Sequence, residues 1–189
     1  MEDQLSPEER DVLLKIARQA MEAAVRGQLQ PELNAAGLPA RLLSPGATFV
    51  TLTVGGVLRG CIGALEAHHP LAEDVREHAV AAALEDYRFP PVHPSELPEI
   101  LIEISRLTRP QLLEYETTEQ LPGLLRRGVD GVIMRDGLRR ATFLPQVWEK
   151  LPDPEMFLAH LCQKMGAPSN LWRVKKLQVA IYQVEEFHE

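Results

Sequence analysis

Four glycines, an arginine and a cysteine fall within Val54-Gly55-Gly56-Val57-Leu58-Arg59-Gly60-Cys61-Ile62-Gly63, and this stretch constrains the fold more than any other. The residues before it, Phe49-Val50-Thr51-Leu52-Thr53-Val54, are β-branched and alternating, as a half-buried strand should be. Gly55-Gly56 supplies the two positive-φ positions of a two-residue hairpin turn, so Val57 starts a return strand. A regular ladder from that turn pairs Val54 with Val57, Leu52 with Arg59 and Val50 with Cys61. Alternation then puts Arg59 and Cys61 on one face, with Gly60 and Ile62 on the other. Glycines at 60 and 63 weaken a strand, and they suit a backbone that bulges or is closely approached.

The rest of the chain reads as helices and strands in alternation. Ser6-Pro7-Glu8-Glu9 carries a serine cap, a first-turn proline and a capping-box glutamate. Leu13, Ile16, Ala17, Ala20, Met21 and Ala24 mark the inner face of the helix that follows, and Gly27 ends it. Residues 28 to 46 read as an irregular loop. A second helix, over 70 to 85, turns Leu71, Val75, His78, Ala79 and Ala82 inward, which makes His78 a packed or hydrogen-bonded histidine. His68-His69 reads as two solvated residues capping that helix, since neighbouring histidines rarely converge on one ion. Ile100 through Leu107 is a strand with Ile100, Ile102 and Ile104 on one face and Leu101, Glu103 and Ser105 on the other. A helix over Thr118 to Arg127, a second hairpin turning at Asp136-Gly137, and a helix capped by Asp153-Pro154-Glu155 come next. That last helix packs Phe157, Leu158, Leu161, Cys162 and Met165 inward, and the chain closes on a strand from Leu177 to Val184.

Composition narrows the classes. At 189 residues the chain suits one domain or two small lobes sharing a core. A net charge of −7 disfavours general nucleic-acid binding through a basic surface. No apolar run approaches the roughly 20 residues a membrane span needs. The start, Met1-Glu2-Asp3-Gln4, is acidic and lacks the regions of a signal peptide. Two cysteines, Cys61 and Cys162, make neither a disulfide framework nor a paired metal motif, so the expectation is a cytoplasmic protein with reduced thiols. Phosphate loops, dinucleotide fingerprints, serine elbows and metalloprotease helices are all missing, and no metal or cofactor is implied.

The signature residues also carry a resemblance. Leu58-Arg59-Gly60-Cys61-Ile62-Gly63, an LRGCIG motif, resembles the six-residue signature of the AMMECR family. Arg88-Phe89-Pro90-Pro91-Val92, Glu103-Ile104-Ser105, Gly128 through Gly131, Ala141 through Val147 and Phe157 through Gly166 follow in that family's order. The match covers nearly the whole of residues 1–189, as a single AMMECR-type domain divisible into two lobes with a groove near 58–63. The resemblance implies a cytosolic α+β protein. It also implies a neighbourhood of Memo-like and radical-SAM proteins, the AmmeMemoRadiSam system, and no particular reaction.

Fold and function expectations combine these readings. The fold is α+β: two lobes of mixed, largely antiparallel sheets flanked by helices. Arg59, Gly60, Arg88 and Glu103 are the candidate ligand-binding residues, and the favoured function is the binding of a small anionic ligand or modified group. Two consecutive prolines stiffen Asp86 through Val92, which makes Arg88 either a site wall or the partner of Asp86 or Glu85. A carboxylate in a core strand is costly to bury unpaired, so Glu103 either faces solvent or meets a cation, with Arg59 and Arg88 as the natural partners. In one alternative Cys61 is a catalytic nucleophile, its thiolate favoured by the arginines. In the other, the signature is a packed hairpin of an interaction or scaffold protein.

Overall fold

A computed structural model describes residues 4–189; Met1 to Asp3, most of the acidic start, lie outside the described residues. The fold is α+β, and the chain separates into two compact units. One runs through Thr108 and takes in Glu185–Glu189; the other is Arg109–Val184.

The first unit opens with helix α1 (Pro7–Val25). Ser6 Oγ accepts from the Glu9 N–H at 3.2 Å, and Glu9 reaches back to the Ser6 N–H at 2.8 Å, which completes the expected capping box. Strands β1 (Pro45–Val54) and β2 (Val57–Gly63) form the hairpin, followed by β3 (His69–Pro70), helix α2 (Leu71–Leu84) and strand β4 (Ile100–Leu107). The sheet order is β2-β1-β4-β9, with β9 at Val184–His188 and β3 pairing with the start of β1. Leu13, Ala17 and Met21 of α1 and Val75, Ala79 and Ala82 of α2 pack with Val50, Leu52, Ile102 and Ile104 in one core. The three isoleucines of β4 are buried while Leu101 is exposed, as the alternation predicts.

The hairpin turn is as expected: Gly55 and Gly56 have φ of 57° and 79°, and Val54 faces Val57. The register beyond it is not. A bulge between Leu52 and Thr53 leaves Arg59 without a partner, so Leu52 faces Gly60, Thr51 faces Cys61 and Val50 faces Ile62. The reason lies in the faces. A regular ladder sets Arg59 beside buried Leu52 and turns Gly60 and Ile62 outward, whereas one extra residue reverses the set. With the bulge, Ile62 packs on the core and Gly60 lies against α2. A Cβ at Gly60 would stand 2.1 Å from the Ala82 carbonyl oxygen, so only glycine lets strand and helix approach this closely.

Within the same unit His78 is held as expected. Its Nδ1 lies 3.2 Å from Asp74 Oδ2, which also accepts from buried Thr48 Oγ1 at 2.7 Å. His68 and His69 are exposed, but Pro70 occupies the cap position of α2, so neither histidine caps it.

The second unit has sheet order β5-β8-β6-β7, with β5 at Gln111–Leu112, β6 at Gly131–Asp136, β7 at Arg139–Phe143 and β8 at Gln178–Tyr182. Helices α3 (Leu121–Leu124), α4 (Pro154–Lys164) and α5 (Leu171–Val174) flank it. Trp148 stacks on Phe157 at 3.8 Å, and Phe157, Leu158, Leu161 and Cys162 are fully buried. Three expectations shift here. The helix predicted over Thr118 to Arg127 is a short turn plus α3, because fully buried Asp130 draws the Arg126 N–H and guanidinium out of helical geometry. The second hairpin turns at Gly137-Leu138, where Gly137 alone has a positive φ of 60°. The closing strand is two strands: β8 ends at Tyr182, and β9 joins the sheet of the first unit. There Glu185 accepts from Arg10, Arg106 and the Leu5 N–H.

Gly60→Ala is expected to cost about 1–3 kcal/mol in urea unfolding, because a backbone carbonyl cannot swing away as a side chain would. Gly123→Ala, where nothing lies within 4 Å of the added carbon, is expected to stay within about 0.5 kcal/mol. Equal, small effects at both positions would contradict the close approach of β2 and α2.

Candidate functional site

β2 is an edge strand, so half of its backbone groups face away from β1. At Cys61 both are taken. Asp86 Oδ2 accepts from the Cys61 N–H at 2.8 Å, and Arg88 Nη2 donates to the Cys61 carbonyl at 3.1 Å. The carboxylate and guanidinium are themselves paired: Arg88 Nη2 donates to Oδ2 at 2.6 Å and Nε to Oδ1 at 2.9 Å. Asp86 and Arg88 thus close the edge as a neighbouring strand would, through one residue.

Local chemistry sets this fork. Asp86 follows α2 and starts a turn in which its carbonyl accepts from the Phe89 N–H at 3.0 Å and its Oδ1 from the Arg88 N–H at 3.2 Å. Pro90 and Pro91 then hold the backbone extended. Asp86 is 4% exposed, and its carboxyl is held well below the usual 3.8. The Arg88 side-chain hydrogen bond is the main cause; the Cys61 and Arg88 backbone N–H groups add to it, against the opposing effect of burial. Arg88 is raised correspondingly, first by its bond to Asp86.

Arg59, the bulge residue, is secured separately. Its Nε and Nη2 donate to the two oxygens of Glu96 at 2.7 and 3.1 Å, and Nη1 donates to the Pro90 carbonyl at 2.9 Å. The same Glu96 accepts from the His93 N–H at 2.7 Å, and its carboxyl is lowered chiefly by Arg59. Two arginine–carboxylate pairs therefore fix the hairpin to the segment after α2.

Cys61 is half-buried and points to the outer face of the sheet, where its Sγ accepts from Thr51 Oγ1 at 3.3 Å. Thr51 is opposite Cys61 on one side and Glu103 on the other, so Cys61, Thr51 and Glu103 make one row across three strands. Glu103 is half-buried and meets neither predicted cation: Arg59 is paired with Glu96 and Arg88 with Asp86. Cys162 sits in the other unit's core, where burial pushes its thiol up. Among the described residues no three His, Cys, Asp or Glu side chains gather as a metal-holding group. A separate cleft of about 310 Å³ is lined by Ile16, Ala20, Leu33, Leu38, Gln19 and Arg76, away from the signature.

The sequence reading groups Arg59, Gly60, Arg88 and Glu103 as one ligand site beside Cys61; the structure sets Arg88 against Cys61, turns Gly60 to α2, pairs Arg59 with Glu96 and puts Glu103 across Thr51 from Cys61. The sequence reading passed over Asp86 as the hub, although an aspartate two residues before an arginine at a helix end is a recognisable turn signal. It missed Glu96 and Thr51 altogether.

The AMMECR1 family model matches residues 14–187. A protein of Methanothermobacter thermautotrophicus is 42% identical, with 98% of this chain and 96% of that one covered. A protein of Thermofilum pendens is 37% identical over 98% of this chain and 92% of its own. The crystal structure of an uncharacterized protein from Pyrococcus horikoshii superposes with a TM-score of 0.76 at 34% identity, covering 98% of this chain and 93% of that one. No helix among the described residues is long and apolar enough to cross a membrane.

Asp86→Ala is expected to lower stability at neutral pH by about 1–3 kcal/mol, because the Cys61 N–H loses its acceptor. The folded carboxyl titrates below its unfolded value, so its contribution is complete above 3.8 and is lost as pH falls through the folded titration. The advantage of wild type over Asp86→Ala should be flat between about pH 5 and 8 and shrink in more acid solution. A constant difference down to the acid limit would contradict the pairing.

Proposed function

The chain belongs to the AMMECR1 family, and on this site's geometry we propose that it is a binding protein that holds a small anionic ligand beside Cys61. The observation that carries the reading is the use of Arg88. One edge of its guanidinium and its second Nη2 hydrogen are occupied by Asp86 and the Cys61 carbonyl. Its Nη1 makes no hydrogen bond among the described residues, and the side chain is 45% exposed. A donor fixed by three contacts, with its remaining N–H pair open, loses little entropy when it takes a carboxylate or phosphate oxygen. Arg59 and Gly60 serve this site by holding the hairpin in register. The groove expected near 58–63 is, in this proposal, the outer sheet face beside Cys61.

Binding is favoured over nucleophilic chemistry by the neighbourhood of the thiol. The group on Cys61 Sγ is the Thr51 hydroxyl, a donor to sulfur rather than a base, and His78 engages Asp74. The cytoplasmic location and the Memo-like and radical-SAM partners belong to the proposal on the strength of the family resemblance.

Paired alkylation tests the reading. Iodoacetate and iodoacetamide deliver the same group to Cys61, one as an anion and one neutral. The iodoacetate-to-iodoacetamide rate ratio is expected to be about fivefold higher in wild type than in Arg88→Gln, and to fall with added salt. Buried Cys162 serves as the unreactive internal control. Identical ratios in the two proteins would refute anion binding by Arg88.

A further inference from the structure

The same face extends the ligand's description beyond an anion. Glu103 is half-buried, lies on the outer side of β4, and has no partner among the described residues. A carboxylate partly withdrawn from water without a cation or donor has given up hydration with nothing in return. It lies two strand steps from Cys61 through Thr51, about 10 Å at about 4.8 Å per step, and Arg88 stands beyond Cys61 at the sheet edge. One pleat along the strands, Leu58 and Leu101 both pair with Thr53, and these two leucines are 40% and 54% exposed. The face therefore presents an open cationic donor at one end, an open carboxylate at the other and an apolar strip alongside.

We infer that this face takes a linear zwitterion, a short peptide of about four residues with free termini, lying across β2, β1 and β4. Its terminal carboxylate meets Arg88, its terminal ammonium meets Glu103, and its side chains rest on Leu58 and Leu101. Four extended residues span at most about 14 Å, about one strand step more than the roughly 10 Å from Glu103 to Cys61, which reaches past Cys61 toward Arg88 at the edge. Cys61 and Thr51 lie beneath the middle of the ligand and can meet its amides. The inference rests on the anion-binding reading of Arg88 and adds the cationic end and the length.

Charge-blocked peptides test it. Tetra-alanine, N-acetyl-tetra-alanine and tetra-alanine amide are titrated at low ionic strength into isotope-labelled protein, following the amide signals of Cys61 and Glu103 and the Arg88 Nε–H. Tetra-alanine is expected to move all three and to bind at least tenfold tighter than either blocked peptide. Glu103→Gln is expected to abolish the affinity difference between tetra-alanine and the acetylated peptide, since only the free ammonium meets Glu103. Since Glu103 has no partner among the described residues, the urea midpoint of that variant should match wild type. If the acetylated peptide binds as tightly as tetra-alanine and still moves Arg88, the zwitterion is overturned and the anion site stands. If no carboxylate-bearing peptide moves Arg88, the anion site falls, and the zwitterion with it.

Discussion

The Cys61 peptide is held on both its N–H and its carbonyl by one aspartate–arginine pair, and much of the first unit's geometry follows from that clamp. An edge strand ordinarily offers such groups to water or to another chain. Here a buried carboxylate takes the N–H, and the guanidinium that neutralises it takes the carbonyl. Burying Asp86 is tolerable because each of its oxygens accepts from more than one donor. The clamp sets the end of α2, the start of the Pro90-Pro91 segment and the strand that carries the signature in fixed relation.

That relation explains why the signature is dense in unusual residues. Gly60 lets β2 approach the Ala82 carbonyl, the bulge releases Arg59 from the core face, and Glu96 receives it. Each feature requires the others. Without the bulge the arginine would point among Leu52 and its neighbours, and without glycine the strand would stand off the helix. The outward result is a face on which Cys61, Thr51 and Glu103 line up and Arg88 is left with one open edge.

Much of this was legible in the sequence, where the information is local. Paired glycines specify the turn, Ser6 with Glu9 specifies a helix start, and the isoleucines of β4 specify a buried face. The register failed because periodicity counts residues and a bulge adds one; the cost of burying Arg59 was the available warning. The last strand was misread because its carboxylates look solvent-facing by composition. The Glu185 side chain is withdrawn from water between Arg10 and Arg106, both far away in sequence. Glu96, and the bond Asp86 accepts from the Cys61 N–H beyond its expected pairing with Arg88, escape the sequence for a related reason, since both depend on what a distant hairpin presents. Short-range pattern fixes elements, whereas pairing across the sheet edge becomes visible only in three dimensions.

Hydrogen exchange at the Cys61 amide tests the clamp most directly. An amide pointing out of an edge strand into water exchanges at nearly the rate of an open loop, while one bonded to a buried carboxylate waits for a larger opening. Cys61 is expected to exchange as slowly as the core amides of β1 and β4. Exchange as fast as the amides of the exposed Gly55-Gly56 turn would mean that Asp86 does not hold this peptide, and the site built around it would have to be abandoned.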